Sequence, residues 1–274
     1  MSTLLSDSLT VMRRNIIKLK RVPDLWVFTT LQPIMFVLLF GYVFGALAVA
    51  GSQGYREFMM AGIFAQTIVF GGTFTGFGMA EDMQKGVIDR FRTLPMHPGA
   101  LLVGRTLSDV VTNVLSLVVM SLTGLLIGWR IRGTFTGALI AFSLMLLFSY
   151  AVSWIMAWVG LKVRAPEVVG NASFMVIFPL TFIANTFVPA QNLPTLLKTF
   201  AGWNPVSTIT HAARDNLGNL NALAEAGTTE QMVRSQAEYT WALQNAEIYT
   251  LFWAVLIMVI FVPLSIRAYR KSMR

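Results

Sequence analysis

Six stretches of the chain contain no charged side chain, and each is long enough to cross a membrane as a helix. They are 19 to 30 residues long, and about 20 apolar residues in a helix span the hydrocarbon core of a bilayer. They lack the alternation of membrane barrel strands, so the pattern predicts an all-α membrane protein with six transmembrane helices. The predicted spans are residues 26–50, 58–80, 107–129, 135–160, 168–188 and 248–266.

A different pattern precedes the first span. In residues 1–25, apolar side chains recur at spacings of three and four, and basic side chains gather towards the end of the segment. This predicts an amphipathic helix that lies on the cytoplasmic membrane surface and ends near Pro23. A solvated basic leader is the alternative, whereas the apolar run that follows is too long for a signal peptide. The apolar positions are Leu5, Leu9, Met12, Ile16 and Leu19.

The basic residues indicate how the spans are oriented. Fifteen of the 21 lysines and arginines lie in the two termini and in the second and fourth loops. The positive-inside rule therefore predicts that both termini are cytoplasmic, with residues 189–247 as an external loop and residues 267–274 as a cytoplasmic tail. An even number of spans also requires both termini to lie on the same side of the membrane. The net charge of +8 is thus assigned to topology, and no nucleic-acid partner is expected.

The composition limits the chemistry that this chain can perform. Charged residues make up 12% of the chain, about half of the roughly 25% found in soluble domains. The chain has no cysteine, and its two histidines, His97 and His211, are predicted to lie on opposite sides of the membrane. We therefore expect no catalytic residues, no metal site and no thiol chemistry.

The loop between the second and third predicted spans has a helical pattern of its own. Met83, Val87, Phe91 and Leu94 share one helical face, and charged residues occupy the others. Pro95 ends the pattern. The sequence thus predicts a short amphipathic cytoplasmic helix, whose apolar face requires either the membrane surface or a groove on a soluble partner.

The same loop carries a family motif. Residues 84–92 read QKGVIDRFR, residues 94–96 read LPM, and residues 203–207 read WNPVS ahead of Arg214. Over nearly its whole length the chain resembles type-2 ABC transporter permeases, and its first motif is especially similar to the daunorubicin-resistance permease group of actinobacteria. The resemblance implies a six-helix domain of the bacterial inner membrane that works as a dimer, with each copy docked on a separate ATP-binding subunit.

The resemblance also implies that the helix in this loop is a coupling helix, which fits a cleft of the ATP-binding subunit. Its buried anchors would be Phe91 and Leu94. The nearest match to a phosphate-binding loop, residues 71–78, lacks the required lysine. ATP and Mg are therefore expected on the partner subunit, and no cofactor is expected on this chain. The candidate coupling residues are Glu81, Gly86, Arg90, Phe91, Arg92, Leu94 and Pro95.

Phenylalanines recur at helical spacing in the first, second and fifth predicted spans. Such faces can stack on a planar apolar molecule, although helix packing or lipid contact is the simpler explanation for any one of them. The resemblance favours the second and fifth spans over Phe36, Phe40 and Phe44 of the first. The candidate substrate-path residues are Gln66, Phe70, Phe74, Phe77, Asn171, Phe174, Phe178 and Phe182.

One pair of opposite charges lies at the edge of a span. Asp109 lies about one turn inside the third predicted span, and Arg105 precedes it by four residues on the same helix. This spacing predicts an interfacial ion pair. A structural role for the pair is favoured over a role as a conformational gate.

These features predict the permease subunit of an ATP-driven exporter, which is not an enzyme by itself. Its expected partners are an ATP-binding subunit, a second permease copy, the bilayer and a hydrophobic small molecule. A drug or secondary metabolite is the substrate class that the resemblance implies. Export of a lipid or polysaccharide is an alternative, and so is a membrane scaffold that recruits a cytoplasmic partner without transport.

Overall fold

The regular secondary structure of the described residues is helical throughout. The computed structural model describes residues 4–21, 23–44, 52–92, 96–97, 99–163, 165–187, 193–220 and 240–272. The helices are α1 (Leu4–Arg21), α2 (Pro23–Leu38), α3 (Ser52–Gln84), α4 (Val87–Arg92), α5 (Ala100–Leu126), α6 (Phe135–Lys162), α7 (Pro166–Ile183), α8 (Thr195–Trp203), α9 (Pro205–Asn216), α10 (Trp241–Gln244) and α11 (Ala246–Ser272).

Among the described residues, five helices are long and apolar enough to cross a membrane. They coincide with the second to sixth predicted spans but extend beyond several of them, because helices continue past the uncharged stretches into flanking polar sequence. For example, α5 begins at Ala100. The five candidate spans are Gly54–Gln84, Ala100–Leu126, Phe135–Lys162, Pro166–Ile183 and Ala246–Lys271.

The first predicted span is represented by a shorter apolar helix. Helix α2 contains Pro33 and continues as a π-helical segment, Leu39–Phe44. Its apolar part, Leu31–Val43, is below the length of the other five. Residues 45–50, which complete the predicted span, lie outside the described residues.

Helix α3 lies at the centre of the bundle. It contacts α5, α6, α7 and α9, and the main apolar core forms where α3 meets α6. Gly76 of α3 and Gly160 of α6 face each other so closely that a Cβ atom on Gly160 would overlap the backbone of Gly76. Paired small residues of this kind allow two membrane helices to approach each other closely.

Helix α1 packs against α5 through a face other than its apolar stripe. Val11 is only 2% exposed and belongs to an apolar cluster that includes Leu102 of α5. Asp7 Oδ2 accepts a hydrogen bond from the backbone N–H of His97, 3.0 Å away. In contrast, Leu5 and Leu9 of the predicted stripe are 70% and 49% exposed, so the beginning of the stripe faces away from the bundle.

The loop predicted to form one amphipathic helix is divided between two helices. Helix α3 continues to Gln84, and α4 starts at Val87. Gly86 lies between them with a φ of 64°, a left-handed conformation that is strained for residues with a Cβ atom. Glu81 and Met83 therefore belong to the end of α3 rather than to the helix of the loop.

Residues 189–247, predicted as an external loop, contain α8, α9 and α10. Of these, α9 contacts α3, α6 and α11. It thus packs into one end of the bundle, while α4 lies at the other end of α3.

Candidate functional site

A cavity of about 610 Å³ lies between α1, α2, α3, α5 and α7. This volume falls within the range of about 300–1,000 Å³ that is typical of small-molecule sites. Helices α3 and α7 supply an aromatic side, and α5 supplies a polar side. A cavity with two such sides suits an amphipathic molecule, because its apolar and polar parts can each meet matching side chains.

Six phenylalanines line the aromatic side. The ring centroids of Phe174 and Phe178 are 4.8 Å apart, and those of Phe178 and Phe182 are 4.1 Å apart. Phe70 of α3 contacts the same row at 6.2 Å from Phe174. Rings in such a row can stack on a planar ligand. The six are Phe70, Phe74, Phe77, Phe174, Phe178 and Phe182, all of which the helical spacing had singled out.

The row of rings continues to the first apolar helix. The ring centroid of Phe187 lies 5.1 Å from that of Phe182 and 4.6 Å from that of Phe40. Phe40 in turn stacks on Phe36, with ring centroids 5.6 Å apart. Phe36 also lines the cavity. Helical spacing had identified this stripe, but the family resemblance ranked it below the stripes of the second and fifth predicted spans.

The polar side contains two acceptor atoms without partners. Asp109 is 9% exposed, and its Oδ2 has no hydrogen-bond partner among the described residues; neither has Oε1 of Gln66 on α3. In contrast, Asn113 Nδ2 donates to Ser149 Oγ at 2.7 Å. The α5 residues that line the cavity at helical spacing are Arg105, Ser108, Asp109, Thr112, Asn113 and Ser116.

One sequence prediction for this region was wrong. Arg105 does not pair with Asp109, because its Nη1 lies 3.4 Å from Oδ2 of Asp82 on α3. Helical side chains lean towards the start of their helix, which carries the guanidinium away from Asp109 and towards α3. Asn171 of α7 is exposed and does not line this cavity, so its place on a substrate path stays a prediction.

Acidic residues at the end of α3 connect the cavity to α1 and to the loop that follows. Glu81 lies 3.3 Å from Lys18 Nζ and 2.5 Å from Lys85 Nζ. The hydrogen bond between Lys85 and Glu81 raises the pKa of the Lys85 amine. Asp82 lies 3.8 Å from Arg14 of α1. Lys18 and Glu81 also line the cavity, so one ionic network reaches from the cavity to the start of α4.

Helix α4 carries the central residues of the predicted coupling set. The guanidinium of Arg14 lies 4.9 Å from the ring centroid of Phe91, and Phe91 is partly buried. Ile88 is buried in the same apolar cluster as Val11. Arg90 is exposed. Three predicted features, the side chain of Arg92 and the residues Leu94 and Pro95, lie outside the described part of the chain.

At the other end of α3, Arg214 of α9 is fully buried. Its Nε donates to the carbonyl of Phe58 at 2.9 Å and its Nη2 to the carbonyl of Thr186 at 2.9 Å, while Nη1 lies 3.4 Å from Asn185 Oδ1. The guanidinium also lies 3.5 Å from the ring centroid of Phe58. Burial lowers the pKa of Arg214 to about 9. Arg214 therefore joins α9, the start of α3 and the segment after α7.

The Asn-Pro motif sets the start of α9. Asn204 Oδ1 accepts a hydrogen bond from the backbone N–H of Val206 at 2.9 Å, and its Nδ2 donates to the carbonyl of Leu180 at 2.7 Å. Pro205 takes the first helical position, where no backbone N–H is needed. The motif is thus a helix cap tied to α7.

Further along α9, burial lowers the pKa of His211 to about 4, so this imidazole is neutral at physiological pH.

Comparison with known proteins agrees with this architecture. The chain belongs to the ABC-2 type transporter family, which it matches over residues 7–217. With five long apolar helices among its described residues, it is a multi-pass membrane protein of the ABC permease class.

Its similarity to individual permeases extends over most of the chain. It is 35% identical over 214 residues to the daunorubicin resistance ABC transporter permease protein DrrB1 of Streptomyces coeruleorubidus, covering 78% of this chain and 76% of that protein. It is also 24% identical over 183 residues to the probable doxorubicin resistance ABC transporter permease protein DrrC of Mycobacterium tuberculosis, covering 66% of each. Membership of the daunorubicin-resistance permease group is thereby confirmed.

Proposed function

We propose that this chain is the membrane subunit of an ATP-driven exporter that removes hydrophobic drugs or secondary metabolites from a bacterial cell. The observation that carries the proposal is the cavity with six phenylalanines on one side. The names of the relatives, which refer to daunorubicin and doxorubicin resistance, support a planar drug as the substrate. Stacking on the row of rings would bind such a molecule.

The energy for transport comes from a separate ATP-binding subunit, which holds ATP and Mg. Helix α4 docks in a groove of that subunit, with Phe91 as an anchor, because a short helix with a partly buried aromatic residue suits helix-in-groove binding. The ionic network of Lys18, Glu81 and Lys85 then transmits its movement to the cavity. A second permease copy completes the exporter.

In this arrangement the chain crosses the bacterial inner membrane six times, and both termini are cytoplasmic. The first of the six crossings includes α2 and its π-helical continuation. The exposed stripe of α1, which includes Leu5 and Leu9, rests on the cytoplasmic leaflet. The basic residues in the last turn of α1 favour this position, because that leaflet is anionic.

The proposal predicts that inverted membrane vesicles accumulate daunorubicin only when they contain this chain, its ATP-binding subunit and ATP. Vesicles that lack either protein, and vesicles whose ATP-binding subunit lacks the lysine of its phosphate-binding loop, serve as controls. Fluorescence of the drug reports its uptake. Copurification of the two proteins without uptake of the drug would contradict the proposed substrate class, and failure of the folded proteins to copurify would favour a scaffold.

A further inference from the structure

Four charged side chains line the cavity, and among the described residues three of them have an ion-pair partner within 4.0 Å and one has none. Lys18 pairs with Glu81 at 3.3 Å, and Arg105 pairs with Asp82 at 3.4 Å. Asp109 lines the same cavity, is only 9% exposed, and forms no ion pair within 4.0 Å among the described residues. An isolated carboxylate removed from water is costly unless a cation or hydrogen-bond donors compensate it.

The second polar group without a partner is also a hydrogen-bond acceptor. Gln66 lies on α3, and its Oε1 is buried with no donor within reach among the described residues. Like Asp109 Oδ2, it is an acceptor, and both side chains line the cavity. A ligand that satisfies both atoms must therefore bring hydrogen-bond donors, and one that also neutralises Asp109 must bring a positive charge.

We propose that Asp109 is the anionic subsite of this cavity and binds the ammonium group of an amphiphilic cation. The flat apolar part of the same molecule stacks on the row formed by Phe174, Phe178 and Phe182, and a second donor of the ligand reaches Gln66. This inference rests on the proposed function and adds to it the charge of the substrate and the residue that selects for it.

An anionic substrate does not suit the same cavity. Its two cationic residues, Lys18 and Arg105, already have carboxylate partners, so an anion would have to displace Glu81 or Asp82 to reach them. It would also bring a second negative charge close to Asp109. A cation meets neither obstacle, because Asp109 has no ion-pair partner among the described residues that it would have to displace.

The test compares two ligands that differ in charge but share one ring system. Daunorubicin carries a primary amine that is protonated at neutral pH, and acetylation of that amine gives a neutral compound. Binding of both is measured from ligand fluorescence, using the full-length chain assembled with its ATP-binding subunit in lipid nanodiscs without ATP.

The variants are Asp109→Asn, which removes the charge at constant shape, and Asp109→Glu, which retains it. Asp215→Asn is the matched control, because Asp215 is exposed on α9 outside the cavity.

We expect Asp109→Asn to weaken binding of the amine about tenfold or more, as is typical when one partner of a buried charge pair is lost. Binding of the acetylated compound should change less than about twofold, because this compound carries no positive charge that Asp109 could bind. Asp109→Glu should restore part of the affinity for the amine, and the Asp215→Asn control should match the wild type. Equal weakening of both ligands, or no effect of Asp109→Asn, overturns the inference while leaving the proposed function intact. If the wild type binds neither compound, the inference and the proposed drug substrate both fail.

Discussion

Vesicles that carry the Phe91→Asp variant are expected to show a rate of ATP-driven daunorubicin uptake at least about tenfold lower, with normal amounts of inserted permease. In the proposed complex Phe91 is the apolar anchor of α4, and a buried aromatic anchor typically contributes about 2 kcal/mol or more to an interface. A carboxylate at this position cannot enter an apolar groove without losing its hydration. Within the permease itself, that carboxylate would face Arg14, which now lies over the Phe91 ring, so the local fold has a favourable substitute contact.

Phe91→Leu is the matched control for this experiment, because it keeps an apolar side chain at the same position of α4. Its uptake rate should remain within about threefold of the wild type, since only part of the buried apolar surface is lost. Copurification measures whether the ATP-binding subunit is still bound. Wild-type uptake by Phe91→Asp would show that α4 does not couple the two subunits through this residue.

Replacing Arg214 by alanine is expected to lower the free energy of unfolding by about 3 kcal/mol or more. The change removes hydrogen bonds to the carbonyls of Phe58 and Thr186, and a hydrogen bond from a charged donor contributes about 1.5–3 kcal/mol. It also leaves a cavity beneath Phe58. Part of this loss is offset, because the variant no longer has to bury a charged guanidinium. Thermal unfolding of the detergent-solubilised protein, followed by tryptophan fluorescence, measures the effect.

Arg130→Ala is the matched control for Arg214→Ala. Arg130 also donates to two backbone carbonyls, those of Leu125 and Trp129, at 2.7 and 2.9 Å, but its side chain is exposed. Water can replace these hydrogen bonds, so the loss should stay below about 1 kcal/mol. Equal melting temperatures for Arg214→Ala and the wild type would mean that the buried arginine does not hold α9 in place.

The membrane-spanning helices could be predicted because their signal is local. A long uncharged stretch is stable in a bilayer as a helix, and in the part of the chain that the structure describes five such stretches form helices of sufficient length. The first stretch was harder to predict, because Pro33 and a π-helical segment interrupt it. The division of the loop at Gly86 was also missed. A helical pattern of apolar residues does not show whether a glycine in its middle will adopt a positive φ.

The candidate site shows a similar division between local and tertiary information. Helical spacing singled out the phenylalanines of α3 and α7, because residues on one helical face lie together. It could not show that Arg105 prefers Asp82 to Asp109, since Asp82 belongs to another helix. For the same reason, the burial of Arg214 beneath the start of α3 could not be derived from its position in a predicted external loop. Pairings between helices depend on the packed structure.

The central claim, that the cavity between α3, α5 and α7 binds the drug, can be tested by cysteine protection. The chain contains no cysteine, so a single Thr112→Cys change places one thiol on the polar side of the cavity. The control is Gln84→Cys, at an exposed position outside the cavity. The rate of alkylation by N-ethylmaleimide is measured with and without saturating daunorubicin. We predict that the drug slows alkylation severalfold at position 112 and leaves it unchanged at position 84. Unchanged alkylation at position 112, under conditions where the drug is bound, would contradict the account.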